Sequence, residues 1–108
     1  MRRQRNNIKK LTDFESKVLQ AVRSISKGKV TTYKYIAKKI GQPKAYRAVA
    51  NALKKNPFLI KIPCHRVIRS SGELGGYILG AKRKLKILRR EGIEVINNKI
   101  KNQNKILS

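Results

Sequence analysis

A cysteine and a histidine stand side by side in the segment KIPCHRVI, and each is the only residue of its type in the chain. A thiolate next to an imidazole is a common arrangement for an activated sulfur nucleophile. Lys61, His65 and Arg66 place cationic groups near Cys64 and so favour its ionised form, and Pro63 restricts the backbone before it. A free cysteine is otherwise most often a small buried hydrophobe. Both interpretations are open on these residues alone.

The geometry limits how the pair can work. Neighbouring residues of a strand point to opposite faces, so a direct contact between Cys64 and His65 needs a turn or a helical start after Pro63. A bridging water is the easier solution, and a third group would orient the histidine. Glu91 is the best-placed acid for that task because it closes the last predicted helix, although a solvated helix end would also explain it. The chain has only five acids to choose from: Asp13, Glu15, Glu73, Glu91 and Glu94.

The charge of the chain points to a polyanionic partner. Lys and Arg number 28 against 5 acidic residues, which gives a formal net charge of +23 over 108 residues. A biased composition or a need for solubility could produce such an excess, but its size favours nucleic acid. The charge does not distinguish DNA from RNA.

Cysteine content and hydropathy exclude several other classes. One cysteine forms no internal disulfide, which fits a reducing, intracellular and by default cytoplasmic compartment. One Cys and one His cannot close a structural zinc site, so we expect no metal. No run approaches about 18 apolar residues, so we expect no membrane span. The basic start of the chain has no apolar region after it and is not a secretory signal.

Three helices are predicted before the Cys-His segment. Thr12 and Glu15 have the spacing of a capping box and begin a helix over 13–25. Thr32 or its neighbour Thr31 caps a short second helix, TYKYIAKKI, which ends at Gly41. A third helix spans 43–55, with Pro43 in its first turn.

The second and third predicted helices form a helix-turn-helix pattern. The third, with the sequence AYRAVANAL, is rich in alanine around the single long cation Arg47. Alanine suits a tightly packed helix, but it equally suits a helix that must approach another surface closely. The residues alone do not decide between these two interpretations.

Short extended segments, a loop and one further helix are predicted for the rest of the chain. A strand is predicted over 58–62 and an extended segment over 66–70, followed by a glycine-rich loop over 70–77 that does not match a phosphate-binding loop. A helix follows over 81–91 and stops at Gly92. These elements predict one domain over 12–93, a basic tail over 1–11 and a polar, flexible tail over 94–108.

The motifs together resemble one known family. NPFLIKIPCHRVI followed by SSGELGGYILG closely resembles the active-site region of the O6-alkylguanine-DNA alkyltransferases. The segment GKVTTYKYIAKKIGQPKAYRAVANALKKNP resembles the helix-turn-helix of that family. The resemblance runs from about Phe14 to Ile93. It implies a mostly α, small winged-helix-like helix-turn-helix domain with a short β element, which carries the Pro-Cys-His-Arg active-site loop.

The resemblance also implies a function: direct repair of double-stranded DNA that carries O6-alkylguanine. The damaged base is flipped out, and Cys64 takes the alkyl group irreversibly, so that each monomer acts once and without a cofactor. His65 acts on the thiol through a water and Glu91 orients the histidine. Asn56 holds the turn that carries the cysteine.

Residues that contact DNA and substrate follow from the same resemblance. Arg47 fills the gap in the base stack, Tyr33 crowds the phosphate beside the lesion, and the alanine-rich helix enters the minor groove through Ala48 and Ala52. The residues implied to line the substrate pocket are Pro63, Val67, Tyr77 and Ile78. This role favours the close-approach interpretation of the alanines, because bulky side chains would hold the helix off the DNA.

The chain departs from the family pattern in two respects. Only a short basic segment precedes Phe14 where the family usually has a further domain, and Ala50 stands where glycine is common. A single-domain subgroup binds lesions without repairing them and typically has Trp at the acceptor position. Cys64 therefore favours a transferase. The alternatives are a lesion-binding protein and, with no role for 61–77, a helix-turn-helix regulator.

Overall fold

Helix α1, Asp13–Arg23, begins at the predicted capping box. In the computed structural model, which describes residues 12–55 and 62–107, Glu15 N–H donates to Thr12 Oγ1 and Thr12 N–H donates to Glu15 Oε1, both at 3.0 Å. The helix is two residues shorter than predicted, and Ile25 enters the core directly after it. The predicted tail 1–11, Asn56 and all of the predicted strand 58–62 except Ile62 lie outside the described residues.

Helices α2, Tyr33–Lys39, and α3, Tyr46–Lys54, form the predicted helix-turn-helix. Thr32 caps α2, since its Oγ1 accepts from Tyr35 N–H at 3.0 Å. Helix α3 begins three residues later than predicted, because Pro43 occupies the second position of a turn closed by Ala45 N–H and Gln42 O at 2.9 Å. Proline is favoured at that turn position, so the residue belongs to the turn and not to the helix.

A three-stranded parallel sheet joins distant parts of the chain. Its strands are β1 (Val30–Thr32), β2 (Val67–Ile68) and β5 (Ile106–Leu107), in the order β2-β1-β5. Thr31 pairs with Val67 on one side and Leu107 on the other, and its hydroxyl donates to Leu107 O at 3.0 Å. All three residues of β1 are buried, so the strand lacks the apolar-polar alternation that would have predicted it.

The structure corrects the predicted flexible tail over 94–108. Helix α4, Ala81–Arg90, ends before Gly92 (φ 87°) much as predicted, but a hairpin follows, with β3 (Val95–Ile96) antiparallel to β4 (Lys99–Ile100). Val95 and Ile100 are each only 4% exposed. These apolar side chains hold residues 94–107 against the domain. The boundary at residue 93 stays a prediction.

The buried side chains form two clusters, and the turn Cys64–Arg66 contacts both α1 and α4. The first joins α1, α2 and α3 and includes Cys64 and Val67. The second lies under the sheet, α4 and the hairpin; its members are Val30, Ile68, Leu74, Leu88, Ile93, Val95 and Ile100. The predicted fold, mostly helical with short strands and a helix-turn-helix, is confirmed. None of the described helices is long and apolar enough to cross a membrane.

Candidate active site

Cys64 begins a single 3₁₀ turn, Cys64–Arg66, which connects Pro63 to strand β2. Arg66 N–H donates to Pro63 O at 2.9 Å, and Cys64 N–H donates to Ile62 O at 2.8 Å. The turn therefore supplies the helical start after Pro63 that a direct contact between Cys64 and His65 would need. It buries both Cys64 and His65, which are 5% and 3% exposed.

One carboxylate, that of Glu91 at the end of α4, fixes the orientation of this turn. His65 Nε2–H donates to Glu91 Oε2 at 3.1 Å. The guanidinium of Arg66 forms a two-pronged ion pair with the same group, from Nε to Oε1 at 2.9 Å and from Nη2 to Oε2 at 2.8 Å. Arg66 Nη1 also donates to Ile25 O at 2.8 Å. Fork-shaped pairs of this kind set geometry as well as charge, so the ends of α1 and α4 together position the active-site turn.

The protonation states follow from these contacts. Burial lowers the pKa of His65 below its usual 6.5, although the hydrogen bond to Glu91 opposes the shift. Burial would raise the pKa of Glu91, but the hydrogen bonds from Arg66 and His65 together outweigh it and lower the pKa. Glu91 is thus a carboxylate and accepts the Nε2–H. A neutral His65 with hydrogen on Nε2 has a free acceptor at Nδ1, and this buried atom has no hydrogen-bond partner among the described residues.

Lys84 on α4 is a site residue that the sequence analysis missed. Its side chain is fully buried, and its Nζ donates to the backbone oxygens of Val67, Leu74 and Gly76 at 2.7, 2.5 and 3.0 Å. Burial lowers the pKa of Lys84 to about 7. The charge of Cys64 opposes that shift, which places the ammonium within electrostatic reach of the thiol. Lysine is rarely buried; the only sequence signal was its position one turn before Leu88 on the apolar face.

The cysteine lies on a cleft of about 670 Å³ between α3 and the glycine-rich loop. Tyr33 and Tyr77 line it from opposite elements, and Tyr77 Oη is buried with no partner among the described residues. The other residues on its wall are Lys34, Tyr46, Arg47, Ala50, Leu53, Lys54, Arg69, Ser70, Ser71, Glu73, Gly76 and Ile78. Four of these are cations and one is an acid, so the cleft is positively charged and ends at a buried thiol.

Gly75 keeps the cleft open beside Tyr33. Its backbone has φ 74°, and a Cβ placed there would come within 3.0 Å of Tyr33 Oη. Both the left-handed backbone and the close hydroxyl require glycine at this position. The glycine-rich loop predicted from the sequence therefore serves to bring backbone next to a tyrosine.

A comparison with protein-family models decides the relationship. Residues 13–93 match the DNA-binding domain of 6-O-methylguanine DNA methyltransferase. The chain belongs to this family. The matched segment contains the helix-turn-helix, the Cys64 turn, Glu91 and the cleft, which agrees with the resemblance drawn from the sequence motifs.

Curated relatives of the methyltransferase family share about half of their residues with the matched segment. A methylated-DNA–protein-cysteine methyltransferase of Methanosarcina barkeri is 50% identical over 80 residues, which cover 74% of this chain and 51% of that protein. The bifunctional transcriptional activator/DNA repair enzyme Ada of Escherichia coli is also 50% identical over 80 residues but is covered only to 23%. The chain thus spans about half or less of the length of these relatives.

Two solved structures of family members, both bound to DNA, share the fold. Mycobacterium tuberculosis OGT in complex with DNA is 44% identical, with a TM-score of 0.75, over 77% of this chain and 51% of that one. S. pombe Atl1, in complex with damaged DNA containing O6-carboxymethylguanine, is 32% identical, with a TM-score of 0.79. That match covers 92% of this chain and 98% of Atl1, so the two chains are similar in extent.

The structure brings together most, but not all, of the residues that the methyltransferase resemblance implied. Cys64, Arg47, Tyr33, Tyr77 and Ile78 all lie on the cleft. His65 and Glu91 stand behind it, bonded to each other. Asn56 lies outside the described residues.

Three implied positions need correction. Ala52 is 3% exposed and packs into the first cluster, whereas Ala48, four residues earlier, is exposed. Pro63 and Val67 are buried beneath the turn and are not part of the cleft wall. Val67 belongs to the first buried cluster together with Cys64.

Metal binding finds no support in the described part of the chain. No group of three or more His, Cys, Asp or Glu side chains within it could hold a metal ion. The two residues that follow Cys64, His65 and Arg66, instead bond to the carboxylate of Glu91.

Proposed function

We propose that this protein transfers the O6-alkyl group of guanine in double-stranded DNA to Cys64, once per molecule and irreversibly. The observation that carries the proposal is the position of Cys64, a thiol only 5% exposed at the wall of a cationic cleft, next to a His-Glu pair. A base stacked in a duplex cannot reach such an atom, so the damaged nucleotide has to be flipped into the cleft. No cofactor takes part. The reaction takes place on DNA inside the cell, in the cytoplasm, and the protein acts as a monomer.

The proposed chemistry is a displacement at carbon. His65 Nδ1 accepts the thiol proton through a water molecule, and the thiolate attacks the alkyl carbon. An S–C bond forms while the C–O6 bond breaks, and the electron pair of that bond stays on the guanine, which takes up a proton. The products are S-alkylcysteine and unmodified guanine. Glu91 stabilises the imidazolium that forms, because its carboxylate already accepts the Nε2–H.

Flipping is assigned to residues at the mouth of the cleft. Arg47 is exposed on α3 and enters the stack in place of the extruded base, which offsets an unstacking cost of a few kcal/mol. Tyr33 crowds the neighbouring phosphate. Tyr77 and Ile78 contact the flipped base.

Intact-protein mass spectrometry tests the transfer. Incubation with a duplex that contains O6-methylguanine is expected to add the mass of one methylene group to every active molecule, and peptide mapping should place it on Cys64. The Cys64→Ser variant and an undamaged duplex serve as controls. A wild-type protein that stays unmodified in the presence of excess lesion would contradict the proposal.

A second function, lesion binding without transfer, is favoured by one observation. The match to Atl1 covers almost the whole of both chains, and Atl1 was solved on damaged DNA. Such a protein would prefer O6-alkylguanine DNA, keep that preference in the Cys64→Ala variant, and leave the alkyl group on the DNA. Anisotropy measurements with damaged and undamaged duplexes, followed by analysis of the recovered DNA, separate the two functions.

A further inference from the structure

We propose that Arg69 binds the backbone phosphate attached to the flipped nucleotide. The inference rests on the proposed function and adds to it a residue that was not among the predicted site residues. Arg69 directly follows strand β2, is exposed, and lines the cleft. Its side chain therefore stands where DNA entering the cleft would arrive.

Arg69 and the Tyr33 hydroxyl both lie next to one glycine, Gly75. A Cβ built on Gly75 would be 3.0 Å from Tyr33 Oη and 3.5 Å from Arg69 Cγ. The backbone of Arg69 is fixed by a turn, since its N–H donates to Glu73 O and its C=O accepts from Gly72 N–H, both at 2.9 Å. An anion at the Tyr33 hydroxyl would thus lie within reach of a guanidinium on an anchored backbone.

Among the residues that the structure describes, no ion pair neutralises the charge of Arg69. All five acids of the chain are in the described part, and the ion pairs found there join Glu15 to Lys55 and Glu91 to His65 and Arg66. Glu73, the acid on the cleft wall, accepts from Ser71 Oγ at 3.1 Å and forms no ion pair with Arg69. The cation is available to an outside anion.

A second cation, Lys84, lies near the same tyrosine. Arg69 helps to lower the pKa of Lys84 and opposes the effect of burial on the pKa of Tyr33. Lys84 Nζ lies 5.9 Å from the centre of the Tyr33 ring. Two cations near one hydroxyl repel each other in the free protein, and an anion bound between them relieves that repulsion.

A phosphodiester is the anion that the proposed reaction brings to this point. The base enters the cleft, so its own backbone phosphate must stay at the mouth. A guanidinium can hold a phosphate through two parallel hydrogen bonds. Arginine also binds guanine through O6 and N7, and the experiment has to separate a contact to the phosphate from a contact to the base.

Three substrates separate these contacts: O6-methylguanine in a duplex, in a single-stranded oligonucleotide, and as the free base, which has no phosphate. We expect Arg69→Gln to slow alkyl transfer from both oligonucleotides about tenfold, as for the loss of one charge-assisted hydrogen bond. Transfer from the free base should stay unchanged. Arg69→Lys should restore part of the rate, because it keeps the charge but not the fork.

Arg23→Gln is the charge-matched control, since Arg23 is exposed at the end of α1 and is not part of the cleft wall. The slope of log affinity against log salt should become shallower by about 0.7 to 0.9 in Arg69→Gln, as for one lost phosphate contact. Urea unfolding confirms that the variants fold equally well. An equal loss of rate with the free base would assign Arg69 to the base, and an Arg69→Gln protein that matches the control would end the proposal.

Different results would overturn the proposed alkyl transfer and the proposed phosphate contact of Arg69. A wild-type protein that takes no alkyl group from any of the three substrates would overturn the proposed function. The affinity for the lesion duplex, measured by anisotropy for wild type, Arg69→Gln and Arg23→Gln, would still show whether Arg69 contributes a phosphate contact. Active wild type with an inert Arg69 would overturn only the present inference.

Discussion

Glu91 holds two different residues of the active-site turn with one carboxylate. It accepts from His65 and pairs with Arg66 on both oxygens. Spacing indicated Glu91 only by its position at a helix end, where a solvated residue was the better explanation, and the family resemblance implied its role in orienting His65. The second partner, Arg66, was read as a charge beside the thiol, but the structure turns its guanidinium away to Glu91 and Ile25 O.

Glu91→Gln should therefore affect both rate and stability. Loss of the carboxylate removes the group that stabilises protonated His65, and we expect alkyl transfer to slow by roughly 10- to 100-fold. It also leaves Arg66 without its counter-ion, which should cost about 1–3 kcal/mol of unfolding free energy. Single-turnover kinetics and urea unfolding measure the two effects. Glu94→Gln, at an exposed acid three residues later, is the matched control, and a Glu91 variant that behaves like it would refute the role.

Lys84 makes stability depend on pH. Its pKa in the folded protein is lowered from 10.5 to about 7, so between these values the unfolded chain holds a proton that the folded chain has released. The unfolding free energy must then rise with pH, by up to about 1.4 kcal/mol per pH unit. We expect urea unfolding from pH 7 to 9.5 to show this rise in wild type but not in Lys84→Met. Parallel curves for the two proteins would place the lysine's pKa outside this window.

At the scale of elements, α3 carries two alanines in opposite environments. Both residues belong to the same helix, but Ala48 is exposed and Ala52 is buried. The family resemblance implied that both residues contact DNA, and their type could not separate them, because alanine carries almost no signal of which side of a helix it occupies. Only the neighbours Val49 and Leu53, both buried, define the inner face.

A pair of leucine substitutions tests this difference. Ala48→Leu should weaken duplex binding while leaving the unfolding free energy nearly unchanged, since leucine is also a good helix former. Ala52→Leu should instead overpack the core and cost about 1–3 kcal/mol. For both variants, anisotropy measures the affinity for the duplex and urea unfolding measures the free energy of unfolding. Equal effects of the two variants on both measurements would mean that α3 has no distinct DNA-facing side.

The hairpin after α4 has a turn signal in its sequence, but the polar composition around it favoured a different prediction. Two short strands, Val95–Ile96 and Lys99–Ile100, flank Asn97 and Asn98, which both have positive φ. Asparagine tolerates this conformation and is typical of two-residue hairpin turns. The polar, asparagine-rich context favoured a flexible tail, and strands of two residues are too short to show periodicity. The helices, with longer apolar patterns and caps, were predicted to within three residues.

Truncation after Glu94 should destabilise the domain substantially. It removes Val95 and Ile100 from the second cluster, each worth about 1.5–3 kcal/mol on burial, and takes β5 from the sheet. Thr31→Val is the milder companion variant, since it removes only the hydroxyl bond to Leu107 O, at about 1 kcal/mol. Urea unfolding gives both values. A truncated protein as stable as the full chain would show that residues 95–108 do not support the fold.

At the scale of the whole molecule, part of the net charge of +23 lies on the wall of the cleft. Four cations, Lys34, Arg47, Lys54 and Arg69, line the cleft. If these four alone contact phosphates, duplex affinity should fall roughly a hundredfold between about 50 and 200 mM salt. Anisotropy titrations at several salt concentrations measure the slope. A flat plot of log affinity against log salt would show that the basic surface is not a DNA footprint.

The parallel pairing of β1 with β5 has a consequence for how the chain folds. It joins residues 76 positions apart, and closing so long a loop costs entropy before any contact repays it. Helices α1 to α3 meet through short connections and can assemble early. Refolding should thus proceed at two speeds, helical half first and sheet last. Cys64, which lies between the two halves, would acquire its final surroundings only in the slow step.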